Sequence, residues 1–331
     1  MKALLLHHPY QRPRFEQDFL DRVAELPGFD LARADLEALA EGRLAAAEGK
    51  RDLKGYDAAI IFVAFTALRR APTLQWRGFS GLRVLLDHDV IQNYSDLFDT
   101  GLKGAWPPVF RRHRFDLMLT TGQGLQSRLE NEGIRSAWLP KAFEAARFVD
   151  HPGPRAGLVS YGSAYLSRVT AERALRAAGL PLRRIDTTPY SELPGALTSY
   201  LACMASSSEL SLPAFWRRWL GYLPARFVPM RPGLEPMAKF FEAAGAGCCP
   251  VADAMSDLEP LGFKDGENSI LFCSHRELVE KVRHWLARPD DLRRLGSSAA
   301  RLAHARHTWT HRAGELRDIL AAKVKRKVKT E

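Results

Sequence analysis

The residues with most chemical capacity lie in Arg231-Pro-Gly-Leu-Glu-Pro-Met-Ala-Lys-Phe-Phe-Glu-Ala-Ala-Gly-Ala-Gly-Cys-Cys-Pro-Val-Ala-Asp253. Pro236 suits the first turn of a helix, where its missing N–H would have had no partner. Gly233 ahead of it permits a close approach to that helix start. The open N–H groups and positive dipole end of such a start attract anions, and Lys239, one turn in, adds a full charge. Glu242, three residues on, shares a helix face with Lys239. A carboxylate there can accept hydrogen bonds from two neighbouring hydroxyls, as on a ribose. Together these groups would grip a nucleotide by its phosphates and its sugar. The competing reading of Lys239 and Glu242 is a surface ion pair worth a few tenths of a kcal/mol.

A second anion-binding candidate is the loop Ser160-Tyr-Gly-Ser-Ala-Tyr-Leu-Ser-Arg168. Gly162 and Ser163 can bring backbone N–H groups and a hydroxyl to a phosphate, and Arg168 can add charge. A plain strand-to-helix turn is the alternative. Acid–base candidates cluster earlier. In Leu85-Leu86-Asp87-His88-Asp89, a histidine between two carboxylates could act as a base towards an acceptor hydroxyl. The competing reading of Asp89 is a cap for the following helix. His8, in His7-His8-Pro9, is singled out by its place at a strand end. His304, His307 and His311 recur at helical spacing but have no carboxylate or cysteine partner, so no metal site is expected. Neither a phosphate-binding P-loop nor a G-x-S-x-G elbow is present. Trp216-Arg-Arg-Trp219, in a Pro-bounded segment, could stack on a base, grip a lipid headgroup or simply pack as an amphipathic helix.

The elements that must position these residues follow from alternation. Short apolar runs at 2–7, 56–63, 82–87, 117–120 and 137–139 read as buried strands. Between them are helical patterns at 15–26, 36–48 and 125–132. The alternation restarts with strands at 157–160, 182–185, 200–205, 248–252 and 269–272. Strands alternating with helices imply parallel sheets with right-handed crossovers, hence a doubly wound α/β fold. The break is placed at Val149-Asp150-His151-Pro152-Gly153-Pro154, whose prolines and glycine favour a linker. The expected organisation is 1–150, 151–306, and a C-terminal helix with a basic tail, 307–331. Ligands in such sheets bind beyond the carboxyl ends of the strands, and two domains facing each other would enclose a cleft.

Composition bounds the partners. The 331 residues are 46% hydrophobic and 26% charged, which excludes a disordered chain. Lys plus Arg outnumber Asp plus Glu by 48 to 38, a net +10 that favours anionic partners: nucleotides, nucleic acid or acidic lipid headgroups. The apolar stretch 58–68 is too short to span a bilayer. The four cysteines form no C-x-x-C pair, which suits a reducing, cytoplasmic setting. The basic run Lys323-Val-Lys-Arg-Lys-Val-Lys329 reads as a solvated tail with the option of touching the anionic inner face of a membrane.

The order of these motifs resembles the group 1 glycosyltransferases, and most nearly their spore-maturation-protein (CgeB-like) branch. Lys239-Phe240-Phe241-Glu242-Ala243-Ala244-Gly245 is similar to that branch's core, with Lys where the branch has Arg. Phe263-Lys-Asp-Gly-Glu-Asn-Ser-Ile-Leu-Phe272, the capping box Ser274-His-Arg-Glu277 and His307-Thr308-Trp309-Thr310-His311-Arg312 follow in family order. The resemblance implies a GT-B fold: two Rossmann-like domains, with the C-terminal helix returning to the first. It implies that Glu242 holds the donor ribose and Lys239 the diphosphate. Glu235 stands one residue too close to Glu242 to match the family's first glutamate. The implied activity is metal-independent, retaining transfer of a sugar from a nucleotide-diphosphate donor to a saccharide, lipid-linked or protein hydroxyl. No cofactor is implied beyond the donor itself. Two other readings remain: an inactive module of the same shape binding an anionic polymer such as nucleic acid, which these residues favour less, and a sugar-nucleotide epimerase.

Overall fold

The computed structural model describes residues 1–8, 15–41, 45–46, 49–50, 53–95, 101–163, 165–186, 188–210 and 224–328. The chain forms two compact units. The first comprises Met1–Tyr94, Thr100–Pro140 and Trp309–Glu331, and the second Ser95–Asp99 and Lys141–Thr308.

The first unit is built on a six-stranded sheet in which every pairing is parallel. Its spatial order is Phe29–Arg33, Ala3–His7, Ala58–Phe62, Leu82–Leu86, Leu117–Thr120, Ser136–Trp138. All five residues of Ala58–Phe62 are buried, as a parallel strand covered on both faces requires. The edge strand Phe29–Arg33 escapes the apolar-run signal because only Phe29 is buried and the rest is partly solvated. The helix Trp309–Val328 belongs to this unit: Trp309, Leu316 and Leu320 are buried, and the Trp309 ring lies 5.4 Å from Phe19 of the helix Phe15–Ala24.

The second unit has a five-stranded parallel sheet ordered Leu182–Arg184, Leu158–Ser160, Ala202–Met204, Cys249–Asp253, Ile270–Phe272. The first strand in sequence lies second in space, so the chain turns one way from Leu158–Ser160 and then crosses to the other side. That reversal lies between Leu158–Ser160 and Ala202–Met204, where an open α/β sheet leaves a crevice beyond its carboxyl ends. The core joins Leu158, Met204, Val251 and Phe272 of the sheet to Ala171, Leu278 and Leu292 of the flanking helices.

Three expectations about elements change. The division falls between Pro140 and Lys141, ahead of the stretch 149–154. That stretch is anchored in the second unit, because Phe148 is buried and Asp150 accepts from Arg155 (2.8 Å) and Ser297 (2.9 Å). The helix expected over 36–48 is limited to Leu36–Ala40, capped by Asp35, and Ala45–Ala46 pairs with Gly49–Lys50 as a short antiparallel ladder. Of the basic run, residues 323–328 form the last turns of the helix ending at Val328 rather than a loose tail, and Lys329 lies outside the described residues. No described helix is long and apolar enough to cross a membrane.

Candidate functional site

The candidate site forms at the reversal point of the second sheet. The strand Leu158–Ser160 delivers Tyr161, Gly162 and Ser163 to its carboxyl end, and the helix Leu166–Ala177 carries Arg168. The helix Ala238–Gly245 carries Lys239 and Glu242 to the same place. Tyr161 ties the pieces together. Lys239 Nζ donates to the Tyr161 carbonyl at 2.7 Å and lies 5.0 Å from the centre of its ring, while Tyr161 Oη donates to Glu242 Oε2 at 2.7 Å. Arg168 donates to the carbonyls of Ser163 and Tyr161. Arg184, from the neighbouring strand end, donates to the Gly162 carbonyl at 2.6 Å. Three consecutive carbonyls are thus each held by a cation.

Lys239 and Glu242 are buried, at 8% and 3% exposure, which excludes the surface ion pair. Among the described residues neither Lys239 nor Arg168 has a carboxylate within 4 Å. Their partners are backbone carbonyls and the rings of Tyr161 and Tyr165. Burial pushes the Lys239 ammonium well below its ordinary pKa, and the Arg168 charge pushes it further in the same direction. Burial likewise lowers Arg168. Tyr161 is driven the other way, first by burial and then by the Glu242 charge. Gly162 adopts φ +80°, and a Cβ there would sit 3.3 Å from the Lys239 ammonium, so the residue keeps that approach open.

The helix begins at Ala238, with Met237 at its cap position and no side-chain cap, so Pro236 precedes the first turn. Gly233 does what a close approach demands: a Cβ would meet Ser207 Oγ at 2.4 Å. Asp253 pins this loop from beneath, accepting from Gly233 N–H (2.5 Å), Ser207 N–H (2.9 Å) and Ser206 Oγ (2.8 Å). Burial raises its pKa, against the hydrogen bonds that lower it. Glu235 is fully buried and accepts from Lys141 Nζ at 2.6 Å, so its carboxylate is engaged within the fold. Sequence reasoning missed Tyr161, Arg184, Ser206, Ser207 and Asp253 as site builders. Their one signal was position, each at or just past the end of an expected strand.

The acid–base candidates lie in the first unit. His88 follows Leu82–Leu86 but is buried among aromatic rings, 4.9 Å from Phe62, 5.7 Å from Phe19 and 6.0 Å from Trp309. Asp89 is exposed at the cap position of the turn Val90–Asn93; its carbonyl accepts from Gln92 N–H (3.0 Å), but its side chain makes no cap bond. Asp87 and Asp89 have the Asp-x-Asp spacing of a metal-binding pair, yet Asp87 is turned inwards, accepting from Asp89 N–H (2.7 Å) and the Trp106 indole (2.8 Å). His8, beyond Ala3–His7, is half-buried. Its Nε2 has no partner among the described residues, and burial lowers its pKa. His304 and His307 bond the carbonyls of Gly245 (3.1 Å) and Leu261 (2.8 Å). Among the described residues no group of three or more His, Cys, Asp and Glu is placed to hold a metal. Trp216–Trp219 lies outside the described residues. Ser274 caps its helix through Glu277 N–H (3.1 Å), while the Glu277 carboxylate takes Cys273 N–H (2.7 Å).

Residues 160–318, a little under half of the chain, match the family described as glycosyl transferase-like. No curated protein matches the chain in sequence. Among solved structures, HepE of Anabaena in complex with UDP and glucose superposes with a TM-score of 0.62 at 13% identity, covering 97% of this chain and 100% of its own. Sucrose-phosphate synthase of Thermosynechococcus elongatus gives 0.60 at 12% identity with the same coverages. TarM gives 0.53 at 8%, covering 79% of this chain and 54% of its own. These likenesses show the fold, two Rossmann-like halves of the GT-B type. The chain thus resembles glycosyltransferases in fold and, over residues 160–318, in sequence pattern.

Proposed function

We propose that the chain transfers a sugar from a nucleotide-diphosphate donor to an acceptor hydroxyl, and that the donor diphosphate binds at Gly162–Ser163 against Lys239 and Arg168. The observation that carries this reading is the pair of buried cations held only by carbonyls and rings at the reversal point of a doubly wound sheet. Burying two cations whose hydrogen bonds go to carbonyls is costly, the Glu242 and Glu172 charges nearby oppose that cost without reversing it, and a dianionic ligand would offset it further. As the sugar–phosphate bond breaks, negative charge grows on the departing diphosphate, and fixed cations in a water-poor site stabilise it most at that moment. Glu242, already accepting from the Tyr161 hydroxyl, is the proposed ribose partner. HepE, which shares the fold, is described with UDP, glucose and UDP-glucose, which supports a uridine-type donor.

Metal-independent transfer with retention of the anomeric configuration belongs to the same proposal and rests on the family resemblance. Of His88, Asp89 and His8, the last is the proposed base: its Nε2 has no partner among the described residues, and burial shifts its ring towards the neutral form that can accept a proton. The test is incubation with UDP-, GDP-, ADP-, CMP- and dTDP-linked sugars in chelator, with and without saccharide acceptors. Acceptor-dependent release of one nucleotide, with the product anomer matching the donor by NMR, is expected. Donor conversion without any acceptor would instead favour an epimerase, and no conversion of any donor would contradict the proposal.

A further inference from the structure

We infer a second anion site, in the first unit, that takes a phosphate group at the amino-terminal edge of its sheet. A pocket of about 480 Å³ opens there, within the usual size range for small-molecule sites. Its floor is made by Leu82 and Leu117, the first residues of their strands, and its walls carry Arg135, Lys323, Arg326 and Lys327. Ligands of α/β sheets ordinarily bind beyond the carboxyl ends, so this pocket is separate from the donor chemistry proposed above.

Charge, rather than shape, identifies the occupant. Four cations line the pocket against one carboxylate, Asp116, and that carboxylate is already neutralised twice. Arg83 holds it through two nitrogens, at 2.8 and 2.5 Å, and Lys327 approaches at 3.3 Å while also donating to the Gly81 carbonyl at 2.9 Å. Among the described residues no bond or ion pair is made by the side chains of Arg135 or Lys323. Lys323, Arg326 and Lys327 are spaced i, i+3, i+4 on the helix Trp309–Val328, so like charges share one face, a destabilising arrangement on an isolated helix. Part of that enrichment answers the negative end of the helix dipole, but the dipole amounts to only about half a charge. Arg135 comes from a different element, just ahead of Ser136–Trp138, and answers none of it. Cations converging from two elements onto a concave floor fit a compact, multiply charged anion, and a phosphate group is the chemistry they share whether it arrives free or on a lipid headgroup.

The test is calorimetric titration of the full chain with inorganic phosphate at low salt, using wild type, Arg135→Ala/Lys323→Ala and Lys239→Ala. The double variant removes only side chains without partners, so its melting temperature should match wild type. Saturable phosphate binding that survives in Lys239→Ala and weakens at least tenfold in the double variant is expected. Binding that is absent, unchanged in the double variant, or abolished by Lys239→Ala would overturn the site. A flotation assay with phosphatidylcholine vesicles, with and without phosphatidylglycerol, separates the sources. Flotation on the anionic vesicles, lost in the double variant and competed by phosphate, assigns a lipid headgroup; binding of soluble phosphate alone assigns a free ligand. Variant-sensitive binding of duplex DNA without saturable phosphate binding would replace the inference with a polymer surface.

Discussion

Lys239 sits in the folded chain with its ammonium disfavoured, so the fold surrenders that proton at a lower pH than the unfolded chain does. Between the lowered pKa and the ordinary lysine value of about 10.4, the unfolded state binds more protons, and this group's destabilising burial is relieved as pH rises. A bound diphosphate reverses the preference by favouring the ammonium. Donor binding should therefore take up a proton in that window, and affinity should fall as pH rises through it. Calorimetry in two buffers of different ionisation enthalpy measures the uptake. Lys239→Arg, which cannot deprotonate, should keep binding and lose the uptake, whereas uptake unchanged in that variant would assign the proton elsewhere. Glu235 offers a different residue-scale test. Its ion pair with Lys141 is buried on both sides, so Glu235→Gln should cost on the order of 3 kcal/mol by denaturant unfolding, because it strands a buried ammonium. Glu235→Leu/Lys141→Met should recover most of that loss. Equal losses in the single and double variants would show that the pair itself is not what Glu235 supplies.

At the scale of elements, the Gly-Ala-Gly that closes the Lys239 helix is set by packing. A Cβ on Gly245 would lie 2.2 Å from the Phe143 ring, and Gly247 holds φ +72° against Asp150. Gly245→Ala should cost about 1–3 kcal/mol, as overpacked cores do, and a thermal melt within 1 °C of wild type, roughly 0.7 kcal/mol or less, would contradict that contact. Which strands form was legible, because Ala58–Phe62 and residues 249–252 are continuous apolar runs that only a sheet covered on both faces can bury. Phe29–Arg33 was not, since a solvated edge strand carries no such run. Lys239, Glu242, Gly162 and Arg168 could be picked out by type and spacing, yet their common partner Tyr161 could not. What joins them is a long-range contact through one ring and one carbonyl, and neither leaves a periodic trace. The linker at 149–154 failed for a related reason: proline and glycine mark a break in regular structure, but Asp150 binds that break into the second unit.

For the whole molecule, each unit closes its own parallel sheet, and the first needs the far end of the chain to do so. Removing residues 309–331 takes away Trp309, Leu316 and Leu320 from a core shared with Phe19. The truncated chain should bind a hydrophobic dye and melt at a lower temperature, and an unchanged melt would contradict the packing role of that helix. In the other unit, the two carbonyl-bound cations are the proposed nucleotide-diphosphate site. Its most direct test is the melting temperature of the full chain with UDP, GDP, ADP, CDP and dTDP in chelator, for wild type, Lys239→Ala, Arg168→Ala and Glu242→Ala. At about a hundredfold excess over Kd a ligand adds roughly 2.7 kcal/mol, a shift of several degrees or less for a chain of this size. One nucleotide is expected to stand out in wild type, its shift disappearing in Lys239→Ala and shrinking in the other two. A flat panel, or a shift that Lys239→Ala leaves intact, would contradict it.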